Sequence, residues 1–301
     1  MPWNIELKKN VSLHEGVSGT LPREKITPEI EAKLKQAVRT APIMTAAAIQ
    51  MIQRFAVVAP TKKITPANVE VQNTLTKYFT LNPNVGRYEQ VVNRIVAVYR
   101  AMQTGLTGGY SLYAYAQPRT EKSFEHAFVK VNTNANKALS HFFADVGERH
   151  WQWDKFKEEA KKYAGNPDSA LADDIHLNYE WFKDSNVDMD MVALTIVHEA
   201  SHKWAHTTDV CYKSSTFSKT ASSDSLADAV RQGFQPTIER QNEPKGPIYV
   251  MVKDGKQKVL AYPSTFNVMQ NEAWVTNADS YAWAARRLWK RVESLMTHAT
   301  F

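Results

Sequence analysis

The chain has 301 residues, of which 43% are hydrophobic and 23% charged, and its formal net charge is +6. This is the composition of an ordinary globular protein that can bury a sizeable core, and it excludes collagen-like and low-complexity chains. The single cysteine, Cys211, excludes an intramolecular disulfide, so we expect a protein that folds without oxidation.

The N-terminal sequence, MPWNIELKKN, lacks the apolar segment of a secretory signal peptide, and we expect synthesis in the cytoplasm. The most apolar window, residues 41–60, is interrupted by Gln50, Gln53 and Arg54, so no membrane span is predicted. Most of the excess positive charge lies in residues 1–64, where basic residues are scattered or lie near glutamates. Nucleic-acid binding requires a denser basic stripe with interleaved aromatic residues, so we expect a solvated basic face and no nucleic-acid partner.

The first part of the chain is expected to be an N-terminal basic arm followed by a helix. Residues 1–26 are polar and contain glycines, which predicts an irregular arm. The Thr-Pro-Glu sequence at 27–29 is typical of a helix start, and it predicts a helix to about Val58 with a break near Pro42. We assign residues 1–65 to this additional N-terminal part.

The remainder alternates helices with a few short strands. Apolar residues at helical spacing predict helices over about 69–79, 88–104, 154–163, 189–206 and 278–296. Strands are predicted over 110–115 and 175–182, and an Asp-Gly turn predicts a hairpin over 248–262. The fold class predicted is α+β, mostly helical, with a few short strands and an inserted β-hairpin.

The sequence His198-Glu-Ala-Ser-His202 forms an H-E-x-x-H pattern inside the predicted helix 189–206. Side chains at positions i and i+4 share one helix face, so both imidazoles can bind one metal ion. Glu199 can contact a water bound to that metal without being a ligand. The pattern predicts the open zinc site of a hydrolase, with one Zn²⁺ per chain and Glu199 as the proton acceptor.

The competing interpretation of this pattern is a solvated helix face that carries two histidines. The apolar run at 193–197 argues for a buried helix instead. Two histidines and a glutamate on a buried helix are costly unless a metal or a partner satisfies them. We therefore favour the metal site.

A zinc site of this kind needs a third protein ligand, and several residues could supply it. His206 would lie on the same straight helix and splay too far from the metal. Asp209 follows His202 at a distance that lets the chain fold back. Cys211 would be a good thiolate ligand, although a free cysteine is more often simply buried. Glu272 resembles the later glutamate of thermolysin-like sites, so Asp209 is favoured and the alternatives stay open.

Three segments in order along the chain resemble the aspzincin metalloendopeptidases, which are the deuterolysins and the peptidyl-Lys metalloendopeptidases. They are His198-Glu-x-x-His202, Thr207-x-Asp209-x-x-Tyr212 and Asn277-Ala-Asp-Ser-Tyr281. The resemblance covers about residues 66–296, and it implies a zincin-like metallopeptidase domain over 66–301.

The resemblance also implies a role for each matching residue. The implied zinc ligands are His198, His202 and Asp209. Glu199 would be the general base, and Tyr212 the phenol that hydrogen-bonds the developing oxyanion. Asp279 would bind substrate in the pocket for the residue after the cleaved bond, although it could equally cap a helix start.

The chain also departs from the family pattern. The glycines that flank the second motif are replaced by His206 and Lys213, and position 282, where the lysine-specific branch has a second acid, is alanine. We therefore expect a relaxed preference for basic residues rather than strict lysine specificity. The resemblance also implies that a segment of about 213–270 is an insertion relative to the family core, and that a chain without the disulfides of the fungal members would be a bacterial-type relative.

The function predicted is a zinc-dependent endopeptidase in which Glu199 activates a zinc-bound water against the peptide bond of a polypeptide substrate. One alternative is a toxin or effector that hydrolyses peptidoglycan peptides and is exported by a secretion system that needs no signal peptide. Its partners would then include an inhibitor or immunity protein, or a secretion-system component. The other alternative is a non-catalytic binding module on a peptidase scaffold.

Overall fold

The structure is a computed structural model that describes residues 4–15, 26–79, 81–84, 86, 88–116, 126–129, 174–183, 187–205, 207, 211–213, 234–236, 250–253, 256–259 and 277–298. Its helices are α1 (Pro28–Phe55), α2 (Pro66–Phe79), α3 (Tyr88–Thr107), α4 (Tyr179–Phe182), α5 (Met189–Ala205) and α6 (Ala278–His298). Its strands are β1 (Asn4–Lys8), β2 (Val11–Glu15), β3 (Tyr110–Tyr115), β4 (Ala127–Val129), β5 (Ile175–Asn178), β6 (Cys211–Lys213), β7 (Phe234–Pro236), β8 (Val250–Lys253) and β9 (Lys256–Val259). The described residues thus form the predicted α+β, mostly helical fold.

The largest sheet in the described residues has the strand order β1-β2-β3-β5-β4. Its inner pairs, β2 with β3 and β3 with β5, are parallel, whereas β1 and β4 pair antiparallel to their neighbours. Side chains alternate between the two faces of a strand. Leu13, Leu112 and Ile175 lie in register on three neighbouring strands and are fully buried, so this face of the sheet belongs to the core.

Four helices pack on one another to form the rest of the core. α5 contacts α1, α3 and α6, and it also contacts β4 and β5.

α1 begins as predicted, with the Thr27 hydroxyl accepting a hydrogen bond from the backbone N–H of Ile30 (3.3 Å). The break expected near Pro42 is absent, because α1 runs unbroken from Pro28 to Phe55.

The prediction of an irregular arm over residues 1–26 is wrong for residues 4–15. These residues form β1 and β2, joined at Asn10, whose φ of 74° suits a tight turn. Leu7, Val11 and Leu13 are buried, since their alternate spacing directs them to the core face of the sheet. β2 pairs with β3, and α1 packs on α5, so these N-terminal residues share one core with the later ones.

The predicted strand over 175–182 is only half correct. β5 ends at Asn178, whose side chain accepts a hydrogen bond from the backbone N–H of Glu180 (3.2 Å) and starts the short helix α4. The hairpin predicted around residues 254–255 is confirmed by the antiparallel pairing of β8 with β9. The predicted helix over 154–163 lies outside the described residues.

Among the described residues, no helix is both long enough and apolar enough to cross a lipid bilayer.

Candidate metal centre

The H-E-x-x-H segment lies on α5, and its chemical groups are buried. His198 is 8% exposed, Glu199 4% and His202 6%. α5 is buried because apolar residues cover most of its circumference, among them Val192, Ile196 and Val197. The solvated helix face considered as an alternative is therefore not what the structure has.

The two imidazoles of α5 approach each other through the same ring atom. His198 Nε2 and His202 Nε2 lie 3.1 Å apart, and the two rings stand nearly perpendicular, at 81°. This arrangement follows from their spacing of one helical turn. Both nitrogens thus face one common point.

The other ring nitrogen of each histidine is held by an acceptor. His198 Nδ1 lies 2.8 Å from Asp279 Oδ1, and His202 Nδ1 lies 2.7 Å from the backbone carbonyl oxygen of Thr207. A carbonyl oxygen and an ionised carboxylate can only accept, so each Nδ1 carries the hydrogen and donates it. In the neutral histidines, both Nε2 atoms then present lone pairs.

Two lone pairs that face each other at 3.1 Å need a cation between or beside them. A proton shared by the two rings is one solution, and a metal ion bound by both is the other. Zinc–nitrogen bonds of about 2.0–2.1 Å at a tetrahedral angle place two nitrogens about 3.3 Å apart. The donor set and the separation of the two Nε2 atoms therefore fit zinc.

A turn at the end of α5 places the acceptor for His202. The backbone N–H of Thr207 donates to the carbonyl of Ser201 (3.2 Å), and the hydroxyls of Ser201 and Thr207 lie 2.5 Å apart. Ser201 Oγ is also 2.7 Å from the carbonyl oxygen of His198. These bonds fold residue 207 back over the last turn of α5 and direct its carbonyl to His202.

The start of α6 places the acceptor for His198. The side-chain amide of Asn277 donates to Ser280 Oγ (3.0 Å), and the backbone N–H of Ser280 donates to the carbonyl of Asn277 (3.2 Å). Asn277, Ser280 and Tyr281 are fully buried. The Tyr99 hydroxyl donates to the carbonyl of Tyr281 (2.7 Å) and joins this turn to α3. The residues on both sides of Asp279 are thus held by buried hydrogen bonds.

Asp279 was predicted either to line a substrate pocket or to cap a helix. α6 begins at Ala278, so Asp279 lies in its first turn, where a carboxylate interacts favourably with the helix dipole. Its carboxylate is directed at His198, and only 7% of the residue is exposed. Ala282, at the position of the second acid in the lysine-specific family branch, is fully buried.

The remaining predicted site residues lie partly or wholly outside the described part of the chain. Asp209, His206 and Glu272 are outside it. The backbones of Cys211 and Tyr212 form β6, which pairs with β7 and contacts α6. Within the described residues, no group of three or more His, Cys, Asp or Glu could hold a metal ion, so the third ligand stays a prediction.

The contacts that hold the two histidines in place were not predicted from the sequence. Ser201 lies inside the H-E-x-x-H pattern, at a position that the pattern leaves unspecified, and the sequence marks Thr207 only as the first residue of the Thr-x-Asp-x-x-Tyr motif. The proximity of Asp279 to His198 was also not foreseen. The signal available was the order of the three motifs, which suggested a common site without specifying the contacts.

Comparisons with known proteins add no assignment: no family model matches the chain, and no curated protein or solved structure shows significant similarity to it. The function must therefore be inferred from the geometry of α5, α6 and the turn at Thr207.

Proposed function

We propose that the protein is a zinc-dependent hydrolase of peptide bonds, with His198 and His202 as two of its zinc ligands. The observation that carries this proposal is the convergence of the two Nε2 atoms at 3.1 Å while both Nδ1 atoms donate to fixed acceptors. A histidine that binds zinc commonly donates its other ring N–H to a carboxylate or a backbone carbonyl. Here the acceptor of His198 is the carboxylate of Asp279, and the acceptor of His202 is the backbone carbonyl of Thr207.

The third zinc ligand in this proposal is Asp209, as the resemblance to the aspzincin peptidases implies. Thr207, two residues earlier, lies beside His202. Asp209 is only two residues further along the chain, and this short separation is the reason for proposing its carboxylate as the third ligand. Tyr212, whose backbone lies in β6, is the proposed hydrogen-bond donor to the oxyanion.

Glu199 is the proposed general base. It follows His198 directly on α5 and is 4% exposed, so its carboxylate lies in a water-poor environment where electrostatic interactions are stronger. Zinc, when bound, would lower the pKa of water and polarise the carbonyl of the substrate. Glu199 would accept the proton of the attacking water and pass it to the leaving amine.

A polypeptide is the proposed substrate. β4 lies at one edge of the five-stranded sheet as far as the described residues extend, and it packs against α5. An extended peptide that paired with β4 would lie next to a strand that packs against α5, the helix that carries the two histidines. This arrangement suits a peptide bond in the middle of a chain better than a small molecule.

The first experiment measures metal content and turnover in parallel. Purified wild-type protein should contain close to one zinc per chain, and His202→Ala should lose it. Glu199→Gln should keep the zinc and lose cleavage of casein. His14→Ala and Glu293→Gln, which change a histidine on β2 and an acid on α6 away from the site, should leave both quantities unchanged. A folded wild type that binds no zinc would exclude the proposal.

The second experiment identifies the substrate. The wild type and Glu199→Gln are incubated separately with casein and with purified peptidoglycan sacculi, and released peptides are analysed by mass spectrometry. Peptides from casein alone support the proposal. Release from sacculi alone would mean that the same zinc chemistry acts on cell-wall peptides.

A further inference from the structure

We infer that Asp279 is a positioning residue for the zinc ligand His198, rather than a receptor for a substrate side chain. This inference rests on the zinc site of the proposed function. The carboxylate of Asp279 would fix which nitrogen of His198 faces the metal and hold the ring at the required angle. Asp279 and His198 are 81 residues apart in the chain, so this role links α6 to α5.

The geometry of the contact supports a positioning role. The distance of 2.8 Å between His198 Nδ1 and Asp279 Oδ1 is that of a charge-assisted hydrogen bond. Both residues are at most 8% exposed, so water competes little for either partner. A hydrogen at Nδ1 leaves the lone pair of Nε2 directed at His202, 3.1 Å away.

Buried hydrogen bonds of the neighbouring residues restrict the position of the Asp279 carboxylate. Asn277 and Ser280 are bonded to each other on either side of it, and both are fully buried. The hydroxyl of Tyr99 holds the backbone at Tyr281, two residues further on. An acid that merely capped a helix on the surface would not need these buried contacts.

The same geometry disfavours a lysine pocket at this position. A substrate ammonium would have to reach a carboxylate that is 7% exposed and that already accepts a hydrogen bond at Oδ1. The position that would add a second acid, Ala282, is fully buried. Asp279 therefore contributes through His198, and the preference for residues after the cleaved bond must be set elsewhere in the chain.

The test measures zinc affinity by competition with a chromogenic chelator in the wild type, Asp279→Asn and Asp279→Ala. Loss of a hydrogen-bond partner behind a metal-ligating histidine typically weakens metal affinity by about 10- to 100-fold, and we expect this range for Asp279→Ala. Asp279→Asn keeps an oxygen acceptor and loses the charge, so its effect should be smaller. Glu293→Gln, another acid on α6, should bind zinc like the wild type.

A second readout follows the histidine ring itself, without metal and without activity. Long-range ¹H–¹⁵N spectra of the metal-free protein show which ring nitrogen carries the hydrogen. We expect Nδ1–H at both His198 and His202 in the wild type. In Asp279→Ala, His198 should change and His202 should not, because its acceptor is the backbone carbonyl of Thr207.

The outcomes separate this inference from the function on which it rests. A wild type that binds zinc, with unchanged affinity in both variants, would overturn the inference alone, as would an altered cleavage preference in Asp279→Asn at unchanged zinc affinity. A folded wild type that binds no zinc would overturn both. If the variants do not fold, a His198 ring that carries no hydrogen at Nδ1 in the metal-free wild type would still contradict the inference, because Asp279 Oδ1 would then receive no hydrogen bond from it.

Discussion

The hydroxyl of Tyr99 donates a hydrogen bond to the backbone carbonyl of Tyr281, with 2.7 Å between the two oxygen atoms. The bond connects α3 to the first turn of α6, two residues after Asp279. The ring of Tyr281 also packs edge-on against the rings of Tyr99 and Phe79, at centroid distances of 5.1 and 5.0 Å. A buried aromatic cluster thus anchors the helix start that holds Asp279 against His198.

Replacing Tyr99 with phenylalanine keeps the ring packing and removes this hydrogen bond. We expect the free energy of unfolding to fall by about 1 kcal/mol, the usual net value for such a bond. Zinc affinity should also weaken, since the turn around Asp279 loses one anchor. Urea denaturation and chelator competition measure the two effects. Tyr113→Phe, at a half-buried position of β3, is the matched control and should change neither by much.

Gly105 lies within α3 and faces the indole of Trp204 on α5. A Cβ built at Gly105 would overlap the six-membered part of that indole. Trp204 also packs edge-on against Tyr110, at a centroid distance of 5.3 Å, and it follows His202 by two residues. The absence of a side chain at residue 105 therefore allows α3 and α5 to approach each other next to the site.

Glycine-to-alanine substitutions inside helices normally stabilise a protein by up to about 1 kcal/mol. For Gly105→Ala we expect the opposite sign, a loss of about 1–3 kcal/mol, because the added methyl group forces Trp204 to move. Gly86→Ala is the control, since a Cβ there meets nothing within 4 Å. In a Trp204→Phe background the cost of Gly105→Ala should shrink. Equal costs in both backgrounds, measured by urea denaturation, would contradict the assigned clash.

The hydroxyl pair of Ser201 and Thr207 holds the turn that presents a carbonyl to His202. Ser201→Ala leaves the Thr207 hydroxyl without this partner in a buried place, and we expect a loss of about 1–2 kcal/mol in unfolding free energy. Zinc affinity should fall as well. Thr207→Val, which keeps the carbonyl and removes the hydroxyl, should act similarly. A stability loss with unchanged zinc affinity in both variants would show that the turn does not position His202.

Local patterns in the sequence predicted the parts of the site that one element supplies. The H-E-x-x-H spacing and the apolar run before it are both local, and they gave the buried helix α5 and the shared face of His198 and His202. The N-cap at Thr27 was equally local and correct. Such features depend on residues within one or two helical turns.

Contacts between distant segments could not be predicted in the same way. Asp279 and His198 meet because α6 packs on α5, and no spacing rule contains that packing. β1 and β2 were missed because short strands with polar flanks resemble an irregular arm until a partner strand, here β3, completes the sheet. The motif order indicated Asp279 as a site residue and gave no information on its partner.

Burial of several tyrosines predicts a loss of stability at high pH. Burial raises the pKa of Tyr88 to about 12, and it also raises the pKa values of Tyr99, Tyr110 and Tyr281. The hydroxyl of Tyr88 donates to the carbonyl of Ala56 (3.2 Å), a bond that requires the protonated phenol. Burial therefore favours the neutral form of each of these phenols in the folded protein.

The sign follows from proton linkage. A phenol ionises near pH 10 in the unfolded chain, and Tyr88 ionises near 12 in the folded protein, so the folded state binds more protons between these values. The stability that Tyr88 contributes is complete below pH 10 and is lost as the pH rises through 12. Tyr88→Phe should therefore lower the unfolding free energy at pH 8, through the lost hydrogen bond, and flatten its decline above pH 10. Tyr281→Phe should flatten the same decline. Urea denaturation at pH 8, 10 and 11 measures both slopes, and slopes equal to that of the wild type would contradict the linkage.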